Sequence, residues 1–151
     1  MIYEEYYSKY LDYKKTIKEI HILEDKKVSL MNMVDVKATN PEDDPNTIKI
    51  FEDKVANYVA ELEITESNLK KKESIKTELK SQLKKKEEEL RESKETLDKI
   101  YLYKYIDRLK YFQICKKINY EKSSLYNFLD IIKKSLKNIR DNKSLEKNGK
   151  I

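Results

Sequence analysis

One cysteine, one glycine, two prolines, one histidine and no tryptophan occur in a chain of 151 residues. Each scarcity excludes something. A single cysteine, Cys115, permits no intramolecular disulfide and suits a reducing compartment. The lone His21 has no second histidine or cysteine at ligand spacing, so no metal site is expected. With one glycine, at Gly149, no glycine-rich phosphate loop can be built. No apolar run approaches the roughly 18 residues of a membrane span, and the first residues carry no signal-peptide pattern. No nucleophile, base and orienting group stand at a supporting spacing, so a non-enzyme without cofactor is expected.

What is abundant points to helices. Charged residues make up 40% of the chain, and lysine and glutamate dominate them. Lysine- and glutamate-rich sequence with so few breakers predicts an all-α protein. The net charge of +5 hides an asymmetry: residues 1–100 carry 20 Lys and Arg against 23 Asp and Glu, whereas residues 101–151 carry 13 against 5. The basic surplus therefore sits in the C-terminal third, as a nucleic-acid-binding segment requires. Richness in Lys, Ile, Asn and Tyr points to a low-GC bacterial or phage genome and a bacterial cytoplasm.

Residues 2–34 read as a first helix, with Tyr3, Tyr6, Tyr10, Tyr13, Ile17, Ile20, Leu23, Leu30 and Val34 mostly three and four apart, and Tyr7 and Lys27 beside that stripe. A tyrosine stripe at this spacing is expected to pack. Asp35–Thr47 holds both prolines and four acids and reads as a connector. It lacks the glycine and the alternating acids of a calcium loop. Asn46 or Thr47 is a plausible N-cap for a second helix beginning near Ile48. From there Leu62, Leu69, Leu83 and Leu90 fall at heptad intervals, with Lys76 in the missing step. The second heptad row is incomplete, so a long antiparallel, coiled-coil-like hairpin is expected over residues 1–92. Its four leucines are candidate oligomerisation residues for a homodimer or higher assembly. Residues 84–95 are nearly all charged and read either as a rod held by i,i+4 pairs or as a hinge.

The C-terminal unit, residues 93–140, reads as a helix-turn-helix. Leu97, Ile100, Tyr101, Tyr105 and Ile106 mark one helix, and Asp107-Arg108-Leu109 interrupts it. Tyr111, Ile114, Cys115 and Ile118 mark a short second helix, with Cys115 as a small core residue. Asn119-Tyr120-Glu121 is the turn, where Asn tolerates left-handed backbone. Leu125, Tyr126, Leu129, Ile132, Leu136 and Ile139 mark a third helix from about Lys122. Such a turn between two helices presents the second to a DNA major groove. The base-contact candidates are Lys122, Ser123, Ser124, Tyr126 and Asn127. Leu125 and Leu129 are expected to hold the helix inward. Phosphate-contact candidates are Arg108, Lys110, Lys116, Lys117, Lys133 and Lys134, together with Lys104 and Lys137. Residues 141–151 lack apolar periodicity and read as a disordered tail.

Lys104-Tyr105-Ile106, Leu109, Tyr111-x-x-Ile114-Cys115-x-x-Ile118-Asn119-Tyr120 and Ser123-Ser124-Leu125-Tyr126 resemble the helix-turn-helix of sigma factor region four. More closely they resemble the small phage and prophage transcriptional regulators of the ArpU/RinA type. Asp53-Lys54-Val55-Ala56, Val59-Ala60 and Leu62-Glu63 resemble a further stretch of that family. The match is one of pattern: Cys115 replaces a small alanine, and Lys110 and Glu121 replace serines that would cap helices. The resemblance implies a sequence-specific regulator of phage or prophage genes that binds double-stranded DNA and contacts RNA polymerase. Two other readings remain open, a phage DNA-packaging (small terminase-like) recognition subunit and a helical scaffold or adaptor.

Overall fold

A computed structural model describes residues 1–34 and 45–147. The fold is all-α, with no strand among the described residues. Helix α1 spans Ile2–Val34 and α2 spans Pro45–Glu92. The short α3, Thr96–Tyr101, runs into a π-helical turn, Leu102–Ile106. Helices α4, Tyr111–Ile118, and α5, Lys122–Lys147, complete the chain.

These helices form two compact units. The first contains residues 1–13 and 78–151, and the second contains residues 14–77. The helix-turn-helix thus shares its unit with the beginning of α1 and the end of α2, rather than standing alone over 93–140.

In the second unit, α1 and α2 run as an antiparallel pair held by heptad spacing. On α1 the buried and half-buried positions Thr16, Ile20, Leu23, Lys27 and Leu30 form a row, alternately four and three residues apart. Lys27 therefore lies within the stripe, and Thr16 is more buried than Ile17. On α2 the matching row is Ile48, Phe51, Val55, Tyr58, Leu62, Thr65, Leu69, Lys72 and Lys76. The second heptad row is thus complete, but Thr65 and Lys72 stand in it where apolar residues are usual. The Thr65 hydroxyl, almost fully buried, donates to the Glu61 carbonyl at 2.8 Å, which satisfies it inside the helix. Lys72 pairs with Glu19, and Lys27 lies 3.8 Å from Glu66. Lysine stems cover apolar surface while their ammonium groups reach the rim. Lys76, half-buried on this row, should be improvable: Lys76→Leu is expected to stabilise the protein by about 1 kcal/mol, read as a higher urea midpoint.

Helix α2 begins at Pro45, earlier than expected, because a proline in the first turn gives up an N–H that has no helical partner anyway. The remainder of the expected connector, residues 35–44, lies outside the described residues.

In the first unit, α2 stays helical through the charged segment as far as Glu92 and breaks at Ser93–Glu95. Leu90, Ile100, Tyr101, Leu102, Ile114, Leu125, Leu129, Ile132 and Leu136 form the core, together with Tyr3 from α1. Asp98, 1% exposed, ties this core together. Its carboxylate accepts the Tyr3 backbone N–H at 3.0 Å and the Ser93 hydroxyl at 2.8 Å. One carboxylate thus caps the first turn of α1 from 95 residues away and fixes the break between α2 and α3.

Residues 141–147 are not a disordered tail but the last two turns of α5. Polar contacts with α1 account for the extension. Ser135 donates to Glu4 at 2.8 Å, Arg140 to the Tyr7 hydroxyl at 3.3 Å, and Lys143 to Asp12 at 2.8 Å. Residues 148–151 lie outside the described residues.

Candidate nucleic-acid interface

Helix α4 and the turn Asn119–Glu121 have the expected boundaries, and α5 begins at Lys122 as expected. Ile114, Leu125 and Ile132 are fully buried and Leu129 nearly so, which fixes the inward faces of both helices. Asn119 closes α4 at φ 59°, ψ 36°, the left-handed conformation for which asparagine is suited. At the other end of α4, the Gln113 side chain accepts the Lys110 N–H at 2.9 Å. A lysine ammonium has no lone pair to return that bond, so only half of a capping box forms.

The base-contact candidates open α5 on its outer side. Lys122, Ser123, Tyr126 and Asn127 are exposed and Ser124 is half-buried. The Lys122 ammonium sits 5.6 Å from the Tyr126 ring centroid, which orients both side chains. Asp130, four residues after Tyr126, shares this outer face. Its place there follows from helical phase, as an acid in a basic helix.

The phosphate candidates do not form one surface. Arg108, Lys110, Lys116, Lys117, Lys133 and Lys134 are all exposed, but they point to different places. Lys116 and Lys122 border the same groove, about 770 Å3, with Phe112, Cys115 and Tyr120 along it. Lys117 instead lies 5.2 Å over the Tyr103 ring, and Lys104 4.6 Å over Tyr111. Arg108 lines a separate cavity with Lys104. Lys133, Lys134 and Lys137 continue along exposed positions of α5. Cys115 is half-buried at the groove rather than in the core, because Ile114 beside it takes the inward position.

Two of the oligomerisation candidates, Leu69 and Leu90, pack within the chain. Leu90 is fully buried in the core of the first unit. Leu69 faces α1 beside Lys27, Val28 and Met31, and Leu62 and Leu83 are half-buried. The exposed apolar residues of the second unit are others, among them Ile22, Val28, Ile50 and Ile64, each more than half exposed.

Tyrosines dominate the rest of the first unit. Tyr3 stacks on Tyr101 at 5.6 Å, Tyr6 meets Tyr101 edge-on at 5.9 Å, and Tyr101 lies 5.0 Å from Tyr105. Burial pushes the phenols of Tyr3, Tyr6, Tyr101 and Tyr105 above their ordinary range, most strongly at Tyr101. A raised folded-state value favours the neutral phenol. Stability is therefore fully present below the unfolded value of about pH 10 and falls as pH rises beyond it. Urea unfolding at about pH 9 and 11 should show this loss, and Tyr101→Phe should reduce it.

Among the described residues no cluster of His, Cys, Asp and Glu is arranged to hold a metal ion. His21 is exposed, 3.6 Å from Glu24. No described helix is long and apolar enough to cross a membrane. Comparison with family models, with curated proteins and with solved structures finds no match for this chain.

Proposed function

We propose that the protein is a non-catalytic, double-stranded-DNA-binding transcriptional regulator that reads DNA with the N-terminal turns of α5. The observation carrying this reading is the exposed set Lys122, Ser123, Tyr126 and Asn127 on a helix held by buried Leu125 and Leu129. A three-residue turn joins it to α4, and the surrounding segment bears the chain's basic surplus. Asn127 suits an adenine edge, Lys122 a guanine or a phosphate, and Asp130 a cytosine amino group. Lys116 beside Lys122, and Lys133, Lys134 and Lys137 further along α5, suit phosphates and fix register without reading sequence. Regulation of phage or prophage genes, with contact to RNA polymerase, is the biological setting that the resemblance of these helices suggests. The second unit, with Ile22, Val28, Ile50 and Ile64 exposed, supplies the surface for a homodimer.

The double substitution Lys122→Ala/Asn127→Ala tests this reading. It should leave the helical circular dichroism and Tm unchanged while weakening specific duplex binding by about tenfold or more. Unchanged specific binding would remove α5 as the reading helix. One observation favours a second reading as a protein adaptor: Phe112 is 62% exposed beside Tyr120 on the groove next to α5. An adaptor would bind no duplex, and Phe112→Ser would abolish its partner binding.

A further inference from the structure

The first unit contains a cavity of about 680 Å3 remote in chemistry from a groove-reading helix. Its walls are tyrosines from the start of α1 and from α3 and the π-turn, and among the described residues the charged ones lining it are Lys104 and Arg108. Among the described residues no carboxylate lines it. The nearby acids Asp107 and Glu87 are engaged by Arg91, at 2.8 and 3.1 Å. The cavity therefore combines aromatic faces with two cations that form no salt bridge among the described residues, the Lys104 ammonium lying 4.6 Å over the Tyr111 ring.

Its backbone is irregular where the cations are placed. The Asp107 N–H bonds the Leu102 carbonyl at 2.9 Å, five residues back, and the Leu109 N–H bonds that of Tyr103 at 2.8 Å. This widened turn is followed by Arg108 at φ 54°. The left-handed residue ends the helix, a task glycine performs without steric cost. Arginine in that place lines the cavity. π-turns recur at functional sites for the same geometric reason, since they redirect side chains out of helical register.

We propose that this cavity binds a nucleoside monophosphate, with the base against the tyrosine rings and the phosphate between Lys104 and Arg108. The volume lies within the range of small-molecule sites, roughly 300–1,000 Å3. Tyr6, Tyr101 and Tyr105 already meet one another in tilted and edge-on pairs, and a planar base extends such an array. The Tyr7 hydroxyl accepts from Arg140, so its own hydrogen is available to donate elsewhere. Burial keeps the Tyr6, Tyr101 and Tyr105 phenols neutral, and a neutral phenol does not repel an anion. A guanidinium and an ammonium together match a dianionic phosphate. The site would make the protein responsive to a metabolite, independently of how α5 engages DNA.

Isothermal titration of the full-length protein with AMP, GMP, CMP and UMP, and with adenosine and inorganic phosphate, tests the proposal. Saturable binding of at least one mononucleotide is expected, about tenfold or more tighter than that of adenosine or phosphate. Arg108→Gly should lose about tenfold in affinity while Tm holds or rises by about 2 °C, because glycine relieves the left-handed backbone. Lys104→Met supplies a second variant with the same expected loss. Lys122→Ala/Asn127→Ala should bind the mononucleotide like the unaltered protein, which separates this site from the DNA-reading helix. Absence of saturable binding up to about 5 mM would overturn the proposal. So would an affinity unchanged from that of the unaltered protein in both cavity variants, or binding of adenosine as tight as that of the mononucleotides.

Discussion

Leu90→Ala is expected to destabilise the protein by about 2–5 kcal/mol, lowering Tm by roughly 10 °C, without changing its oligomeric state. Leu90 is fully buried among Tyr3, Ile100 and the apolar residues of α5. Truncating it removes three carbons and leaves a cavity that rigid helices on several sides cannot close. The prediction separates two roles that a heptad leucine can have. A residue at a subunit interface would, when truncated, shift the dissociation constant and make Tm depend more steeply on concentration. A core residue lowers Tm equally at every concentration. Differential scanning calorimetry at two protein concentrations, with light scattering on the folded protein, distinguishes these. Leu62→Ala, at a half-buried position of the second unit, should cost clearly less.

Asp98→Ala is expected to cost about 2–3 kcal/mol, which corresponds to a fall in Tm of roughly 5–10 °C. The substitution removes a buried acceptor and leaves two donors without it: the Tyr3 backbone N–H at the first turn of α1 and the Ser93 hydroxyl. Because the two donors belong to segments far apart in the sequence, loss of the carboxylate loosens the docking of α1 as well as the α2–α3 break. Asp98→Asn keeps one acceptor oxygen and should cost less than half as much. Hydrogen exchange offers a site-resolved reading, since the Tyr3 amide should lose protection in Asp98→Ala first. An unchanged melting curve would show that the interaction adds nothing to folding.

What was legible in the sequence was local. Ile100, Ile114, Leu125, Leu129 and Ile132 recur at helical spacing and mark buried faces, and Asn119 marks a left-handed turn before any coordinate is known. The single heptad row of leucines likewise revealed the hairpin. Its companion row was hidden because Thr65 and Lys72 read as polar, although a back-bonded hydroxyl and a snorkelling lysine suit those positions. The end of α5 was illegible for a related reason. Residues 141–147 have no apolar stripe, and their order comes from charge pairing with α1, as between Lys143 and Asp12. Asp98 has the appearance of an ordinary surface acid on a short helix, and only the fold brings Tyr3 to it. The tyrosine cavity required the same step, because residues 6–10 and 101–109 meet only after α1 docks. Among the candidate contacts, the exposure of Lys122 and Asn127 followed from helical phase. The divergence of Lys117 and Arg108 from that face depended on the π-turn, for which the sequence carries no marker.

The most direct measurement is equilibrium binding of the full-length protein to duplex fragments from its own genomic neighbourhood, at two salt concentrations, with unrelated duplex as competitor. One fragment should be retained at the higher salt, with log K falling against log salt by about 0.9 per phosphate contacted. Equal binding of all fragments that vanishes with salt, or no binding at either salt, would contradict a sequence-reading role for α5.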